Sequence, residues 1–266
     1  MITQLAFGFI IAAAIAGTGW KAGALSASGA FSAVMVGGII FGLGGLPWAI
    51  LLVTFFFTSS LFSIMFKKYK SHVKVKFSKG SRRDWGQVVA NGGFGATLAL
   101  AHSFLPGQAW LWVAFAATMA AVNADTWATE IGILSRQQPR LITTGERVET
   151  GTSGGVTLSG TLAALAGSAL IAGIAALLTP QRENGIFLAI TLGGMAGALF
   201  DSTLGATVQA VFYCPTCKKE TERYPLHSCG EYTTHLRGWL WLNNDRVNFG
   251  CSLMGAIIGA LLIALF

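Results

Sequence analysis

Apolar segments of about 20 residues follow one another from end to end of this chain, and their recurrence limits what it can fold into. A helix needs about 20 apolar residues to cross the hydrocarbon layer, because the segment must satisfy its own backbone N–H and C=O groups there. Eight candidate spans can be placed: Ile2–Gly19, Ala22–Gly42, Leu46–Phe66, Trp85–Leu105, Gln108–Glu130, Gly155–Leu178, Gly185–Phe212 and Val247–Phe266. With 53% of 266 residues hydrophobic and 11% charged, an ordinary soluble domain is excluded. The first run has no basic leader and no clear cleavage site, so it reads as a retained span. Many of the 34 glycines lie inside the apolar runs, where small residues let helices pack closely in lipid. The expected fold is an all-α, polytopic transmembrane helical bundle of about eight spans. It forms a single integral membrane domain over residues 1–266, with residues 213–246 inserted as a Cys/His loop between the last two spans.

The basic residues test this layout. Odd-numbered loops carry Lys21; then Lys67, Lys68, Lys70, Lys74, Lys76, Lys79, Arg82 and Arg83; then Arg136, Arg140 and Arg147; then Lys218, Lys219, Arg223, Arg237 and Arg246. Of the 18 Lys and Arg, Arg182 alone falls in an even loop. The positive-inside rule then makes the odd loops cytoplasmic and places both termini outside, in the plasma membrane if the cell is prokaryotic. The basic third loop reads as topology and attraction to anionic headgroups. The bilayer is the expected partner of that charge, and no nucleic acid is expected.

Polar residues inside the apolar runs mark the candidate site. The fifth span ends in Asn123-Ala-Asp125-Thr-Trp-Ala-Thr-Glu130. A carboxylate in or near hydrocarbon costs a few kcal/mol, and the C-terminal end of a helix disfavours it further. A bound cation removes both objections; the alternative is that each acid is hydrated or held by neighbouring Asn, Ser or Thr. Asp125 and Glu130 lie about 140° apart on a helix and cannot easily share one ion. Asp125 and Asp201, on neighbouring spans, form the better pair for Mg²⁺, a cation that takes oxygen ligands and keeps waters and phosphate. Asp201 has Gly197 and Gly205 one turn away on either side, which permits close helix contact. Catalytic candidates are therefore Asp125, Asp201, Glu130 and Asn123.

The charge-derived orientation brings further groups to the same depth. They are Asn91 at the start of the fourth span, Thr152, Ser153, Gly154 and Gly155 before the sixth, Ser202 in the seventh, and Asn244 and Asp245 before the eighth. Glycines before a helix leave backbone N–H groups open to phosphate, so these residues form the candidate phosphate-binding set. The segment is not a Walker A loop, since the Gly-Lys-Ser/Thr ending is missing. Arg82 and Arg83, beside the membrane, are candidates for capturing a polyphosphate. A hairpin of glycines, Thr-Leu-Ala and then Asp plus a hydroxyl occurs twice, in spans four to five and six to seven, which makes an internal duplication conceivable.

Cys214-Pro-Thr-Cys217 followed by His227-Ser-Cys229 gives a Cys₃His set whose spacing suits structural Zn²⁺, with His235 as a substitute for His227. A disulfide is not expected in a cytoplasmic loop. Cys251, inside the last span, reads as a packed thiol.

NADTWATE, GTSGGV, DSTLGATVQ and NNDRVN together resemble the integral membrane family that contains plant phytyl-phosphate kinase and the animal transmembrane protein 19, often described as a domain of unknown function. The resemblance covers nearly the whole chain. It implies a membrane kinase that converts an isoprenoid monophosphate into the diphosphate, using ATP or CTP and Mg²⁺, with the site on the cytoplasmic side. More remotely, the chain is similar to phytol and dolichol kinases and to CTP-using lipid cytidylyltransferases. A transporter of an ion or small polar solute is the reading from another class, favoured by buried acids and paired hairpins. Transporter sites usually lie near the midplane on interrupted helices, whereas these acids cluster toward one face.

Overall fold

The computed structural model describes residues 2–67, 69, 76–77, 79–80, 82–179 and 185–265. Lys68, Lys70, Lys74 and Arg182, which entered the charge division, lie outside the described residues. Among the described residues there are eight long helices: α1 (Ile2–Lys21), α2 (Ala27–Gly44), α3 (Leu46–Met65), α4 (Trp85–Phe104), α5 (Ala109–Gly132), α6 (Leu158–Leu178), α7 (Ile186–Thr207) and α8 (Asn244–Ile263). The eight-span expectation holds, with shifted boundaries. The seventh span stops at Thr207 because Val211–Cys214 leaves it to form a strand, and the sixth begins at Leu158 because Gly155–Val156 pairs as a strand.

Six of the helices, all but α4 and α5, are apolar enough over 18 residues to cross a membrane. The two exceptions have different causes. In α4 the apolar run is broken by Gln87, Asn91 and His102. In α5 it is broken by Asn123 and Asp125, and this helix is the hub of the bundle: α3, α4, α6, α7 and α8 all pack on it. Every residue from Val113 to Ala124 is buried. A helix sheathed by protein needs small side chains for close packing more than lipid-like ones, and the Ala-rich sequence of α5 provides them.

The helix ends differ in a way that orders the molecule. The four even helices begin with a side-chain cap: Ser26 for α2, Asp84 for α4 in a full capping box with Gln87, Thr157 for α6 and Asn243 for α8. By contrast, α3, α5 and α7 begin at Gly45, Gln108 and Gly185 with no side-chain cap. Capping oxygens replace the missing partners of the first-turn N–H groups. The capped starts share one end of the bundle. Arg83 exchanges backbone hydrogen bonds with Ala24 and Ser26, and Lys79 joins Asp84 to Asp245. The chain between helices is long at this end and folds into two small sheets. One pairs β1 (Arg140–Leu141) with β2 (Gly155–Val156); the other, in the order β4-β3-β5, comprises β3 (Val211–Cys214), β4 (Lys219–Thr221) and β5 (Thr234–Arg237).

Close contact between α5, α7 and α8 sets the position of the acids. A Cβ on Gly197 would lie 2.5 Å from the Ala121 Cβ and 2.7 Å from the Cys251 carbonyl oxygen, so neither helix could stay where it is. Gly197→Val should cost about 1–3 kcal/mol as overpacking, read as a lower Tm of the detergent-solubilised protein. An unchanged Tm would show that these helices have slack.

Candidate active site

The cleft at the capped end is built from residues far apart in the chain. Asp125 and Thr129 come from α5, and Asp201, Ser202 and Gly205 from α7. The turn Gly151–Gly155, the first turn of α6 with its cap Thr157, and Asn244 at the start of α8 complete the membrane side. Gln209 and Glu222, from the strand region after α7, close the cleft from outside. The cavity is about 140 Å³, enough for a phosphate group or a hydrated ion. Asp201 lies within Coulombic reach of both Asp125 and Glu222, and its Oδ2 is buried without a hydrogen-bond partner. Three carboxylates drawn together in this way repel one another, and a bound cation or a proton on one of them relieves the repulsion.

The turn that carries Ser153 and Gly154 is held tightly. Gly155 N–H donates to the Thr152 carbonyl at 3.0 Å, and Ile142 N–H donates to the Gly154 carbonyl at 3.0 Å. Gly154 has φ of 81°, and a Cβ there would lie 2.4 Å from the Ala206 nitrogen. A glycine is required on both counts, and it lets the turn lie flat against the end of α7. The glycine segment is thus a separate turn ahead of α6, as its place before the sixth apolar run suggested, with Gly155 drawn into β2.

Of the residues singled out in the sequence, the cleft gathers Asp125, Asp201, Thr152, Ser153, Gly154, Gly155, Ser202 and Asn244. Six others lie elsewhere, and each position has a physical reason. Asn123 is buried two residues deeper on another face of α5, accepting from Thr58 Oγ1 at 3.0 Å and donating to the Gly167 carbonyl at 2.8 Å, so it ties α5 to α3 and α6. Glu130 turns toward α3, where Ser63 Oγ donates to it at 2.5 Å, as the 140° offset from Asp125 requires. Asn91 faces an apolar groove bounded by α2 and α3. Asp245 is engaged by Lys79 at 2.5 Å, and the same ammonium holds Asp84 at 2.8 Å. Desolvation opposes the Lys79 charge, but the two acids outweigh it and raise its pKa. Arg82 and Arg83 line a different basin, at the ends of α1 and α3.

Two residues of the cleft region, Glu222 and Lys76, carried no signal in the sequence. Glu222 Oε1 accepts from Ser153 Oγ at 3.0 Å and from Gln209 Nε2 at 2.8 Å. Lys76 is buried, with Nζ 3.3 Å from Thr152 Oγ1 and 2.8 Å from Glu149. The Lys76 carbonyl accepts from Glu222 N–H at 2.8 Å, which pins the third loop to the Cys/His segment. In a run of many cations no local signal distinguishes Lys76. Glu222 lies in the polar run Lys218–Arg223 and reads there as a solvated acid.

The Cys/His segment supports Glu222 from behind. The ligand atoms of Cys214, Cys217, His227 and Cys229 all lie within 4.8 Å of one another. Cys214 and Cys229 sulfurs are 3.6 Å apart, and His227 Nδ1 is 3.2 Å from Cys229 Sγ. The His227 contact draws the Cys229 thiol down to about 6, and the hydrogen bond to Cys229 pushes Cys217 up to about 11. His235, the alternative ligand, instead places Nε2 2.9 Å from the Gly238 carbonyl oxygen.

A family model described as integral membrane protein DUF92 matches residues 10–256. The chain is 34% identical over 269 residues to Protein PGR of Arabidopsis thaliana, covering 92% of this chain and 91% of that protein. It is 33% identical over 242 residues to an uncharacterized membrane protein of Methanocaldococcus jannaschii, covering 91% and 87%. A membrane protein of Synechocystis is 27% identical over 229 residues, covering 81% and 76%. No solved structure matches the chain.

Proposed function

The chain belongs to the DUF92 family of integral membrane proteins, and from that premise we propose that it is a membrane kinase that phosphorylates an isoprenoid monophosphate to the diphosphate with a nucleoside triphosphate. The observation that carries this reading is the meeting of Asp125 and Asp201, from two helices, with the Thr152–Gly155 turn and Asn244 in one cleft. Phosphoryl transfer needs positioning and charge neutralisation more than a covalent nucleophile, and these residues are suited to both. The oxygen-only donor set and the unpartnered Asp201 Oδ2 fit Mg²⁺. When bound, the cation would neutralise charge on the phosphate oxygens. Ser153 and Gln209 orient Glu222, and Lys76 places an ammonium beside Thr152, where a phosphate on the turn would meet it. A lipid-tailed acceptor accounts for acids embedded at the end of apolar helices. The transporter reading loses ground because the cleft lies at one end of the bundle.

The test is a purified sample given labelled ATP or CTP with phytyl, geranylgeranyl or undecaprenyl phosphate. Mg²⁺-dependent transfer to one of the three supports the proposal; no transfer to any of them overturns it.

The Cys₃His cluster is proposed to hold one structural Zn²⁺, since thiolate and imidazole donors at this separation match its ligand chemistry. The cleft is proposed to face the cytoplasm, with both termini outside, from the division of the basic residues. In intact cells an impermeant thiol reagent should then leave Cys217 and Cys229 unlabelled. Strong labelling there would reverse the orientation.

A further inference from the structure

Two cavities on the far side of α5 from the acid cleft meet at one residue. The first is an apolar groove of about 400 Å³ between α1, α2, α3 and α4, with walls that include Ile15, Ala33, Val36, Val53 and Phe55. The second, also about 400 Å³, is a basin at the capped end that holds Lys21, Lys67, Arg82, Ser60 and Ser63. Arg83 lines both. Its guanidinium donates to Ser60 Oγ at 2.8 Å and lies 5.9 Å from the Phe55 ring centre and 5.8 Å from that of Phe56. Glu130 lies within Coulombic reach of Arg83, and the described residues that line the basin include Lys21, Lys67 and Arg82 but no acid.

An apolar slot that opens at one end into a basin of three cations is shaped for an amphiphile with an anionic head. We propose that this site binds an anionic phospholipid of the bilayer, with its chain in the α1–α4 groove and its phosphate at Arg83, Arg82, Lys21 and Lys67. The groove and basin share no lining residue with the acid cleft. A lipid seated here therefore does not present its phosphate to Asp125 and Asp201, which favours a resident bilayer lipid over the phosphate acceptor. Half-buried Arg83 is drawn down to about 10 by desolvation, with Glu130 opposing the shift, and so stays charged at neutral pH. Its stacking on two Phe rings keeps the guanidinium at the boundary between slot and basin. The proposal stands whatever reaction the acid cleft performs.

Native mass spectrometry of the full chain, offered phosphatidylglycerol and phosphatidylcholine in equal amounts, tests it. Phosphatidylglycerol should be retained at least about 10-fold over phosphatidylcholine, since the increments by which the separate surface cations favour an anionic lipid accumulate. The triple variant Lys21→Gln/Lys67→Gln/Arg82→Gln alters exposed charges and should bring the ratio close to one. Ala33→Phe fills the groove without touching a charge and should lower retention of both lipids. A wild-type ratio near one, or an unchanged ratio in the triple variant, overturns the proposal. Displacement of phosphatidylglycerol by an equal amount of undecaprenyl phosphate also overturns it and assigns the site to a polyprenyl lipid.

Discussion

Replacing Asp125 or Asp201 with Asn is expected to abolish Mg²⁺-dependent transfer while the protein still inserts and folds. Asn keeps the size and hydrogen-bonding capacity of the side chain and removes its charge. If the two carboxylates hold a cation against phosphate oxygens, the loss is several kcal/mol of charge stabilisation, about 10³-fold or more in turnover. Stability should be unchanged or rise, because Asp201 Oδ2 is buried without a partner and faces two other carboxylates. Glu130→Gln should be milder in turnover, since Glu130 belongs to the α3 contact through Ser63 and does not reach the cleft. Measuring Tm and turnover on the same preparations separates a chemical role from a structural one. Full turnover per folded molecule in both Asn variants would end the metal-site reading, and a fall in Tm that accounts for the lost turnover would assign the acids to packing.

Removing the metal from the Cys/His segment should have the second large effect, and it should act at a distance. Metal analysis is expected to find about one Zn²⁺ per chain. The segment has three short strands, and its buried residues are few, so the metal would supply much of its folding free energy. Glu222 directly follows β4 and reaches Ser153 and Gln209 from there. Chelation, or Cys217→Ser, should therefore lower both zinc content and turnover by at least about 10-fold, with the helix signal in circular dichroism intact. Zinc-free protein with free thiols as purified would refute the metal. Full turnover after complete zinc removal would show that Glu222 is not needed in the cleft.

How legible the site was depended on whether a residue's partner was near in sequence or depth. Asp125 and Asp201 stood out because a carboxylate in an apolar run is costly wherever the helix packs. The Thr152–Gly155 turn was found by its glycines, and the structure places it ahead of α6, held by Ile142 and Thr152. Asn123 was assigned to chemistry because it adjoins Asp125; a step of two residues turns it to another face, where Thr58 and Gly167 satisfy it. Arg82 and Arg83 were grouped with the phosphate site by depth alone. Depth says nothing about position around a central helix, and they stand across α5 from the acids. Lys76 and Glu222 gave no signal because each owes its place to a contact with the other across 145 residues or more of chain.

The sequence by itself determined the number of helices, their alternating direction, the end at which polar residues gather and the Cys₃His set. These follow from local quantities: the length of apolar runs, the division of basic residues between loops, and the spacing of thiols and imidazole. Tertiary structure alone decided which polar residues at that end face one another. Packing α5 at the centre sends Asp125 toward α7 and Glu130 toward α3, and splits one polar layer into an acidic cleft and a basic basin. Rotation about a helix axis leaves hydropathy and charge counts unchanged, so no pattern along the chain records it; close contacts such as Gly197 on Ala121 do.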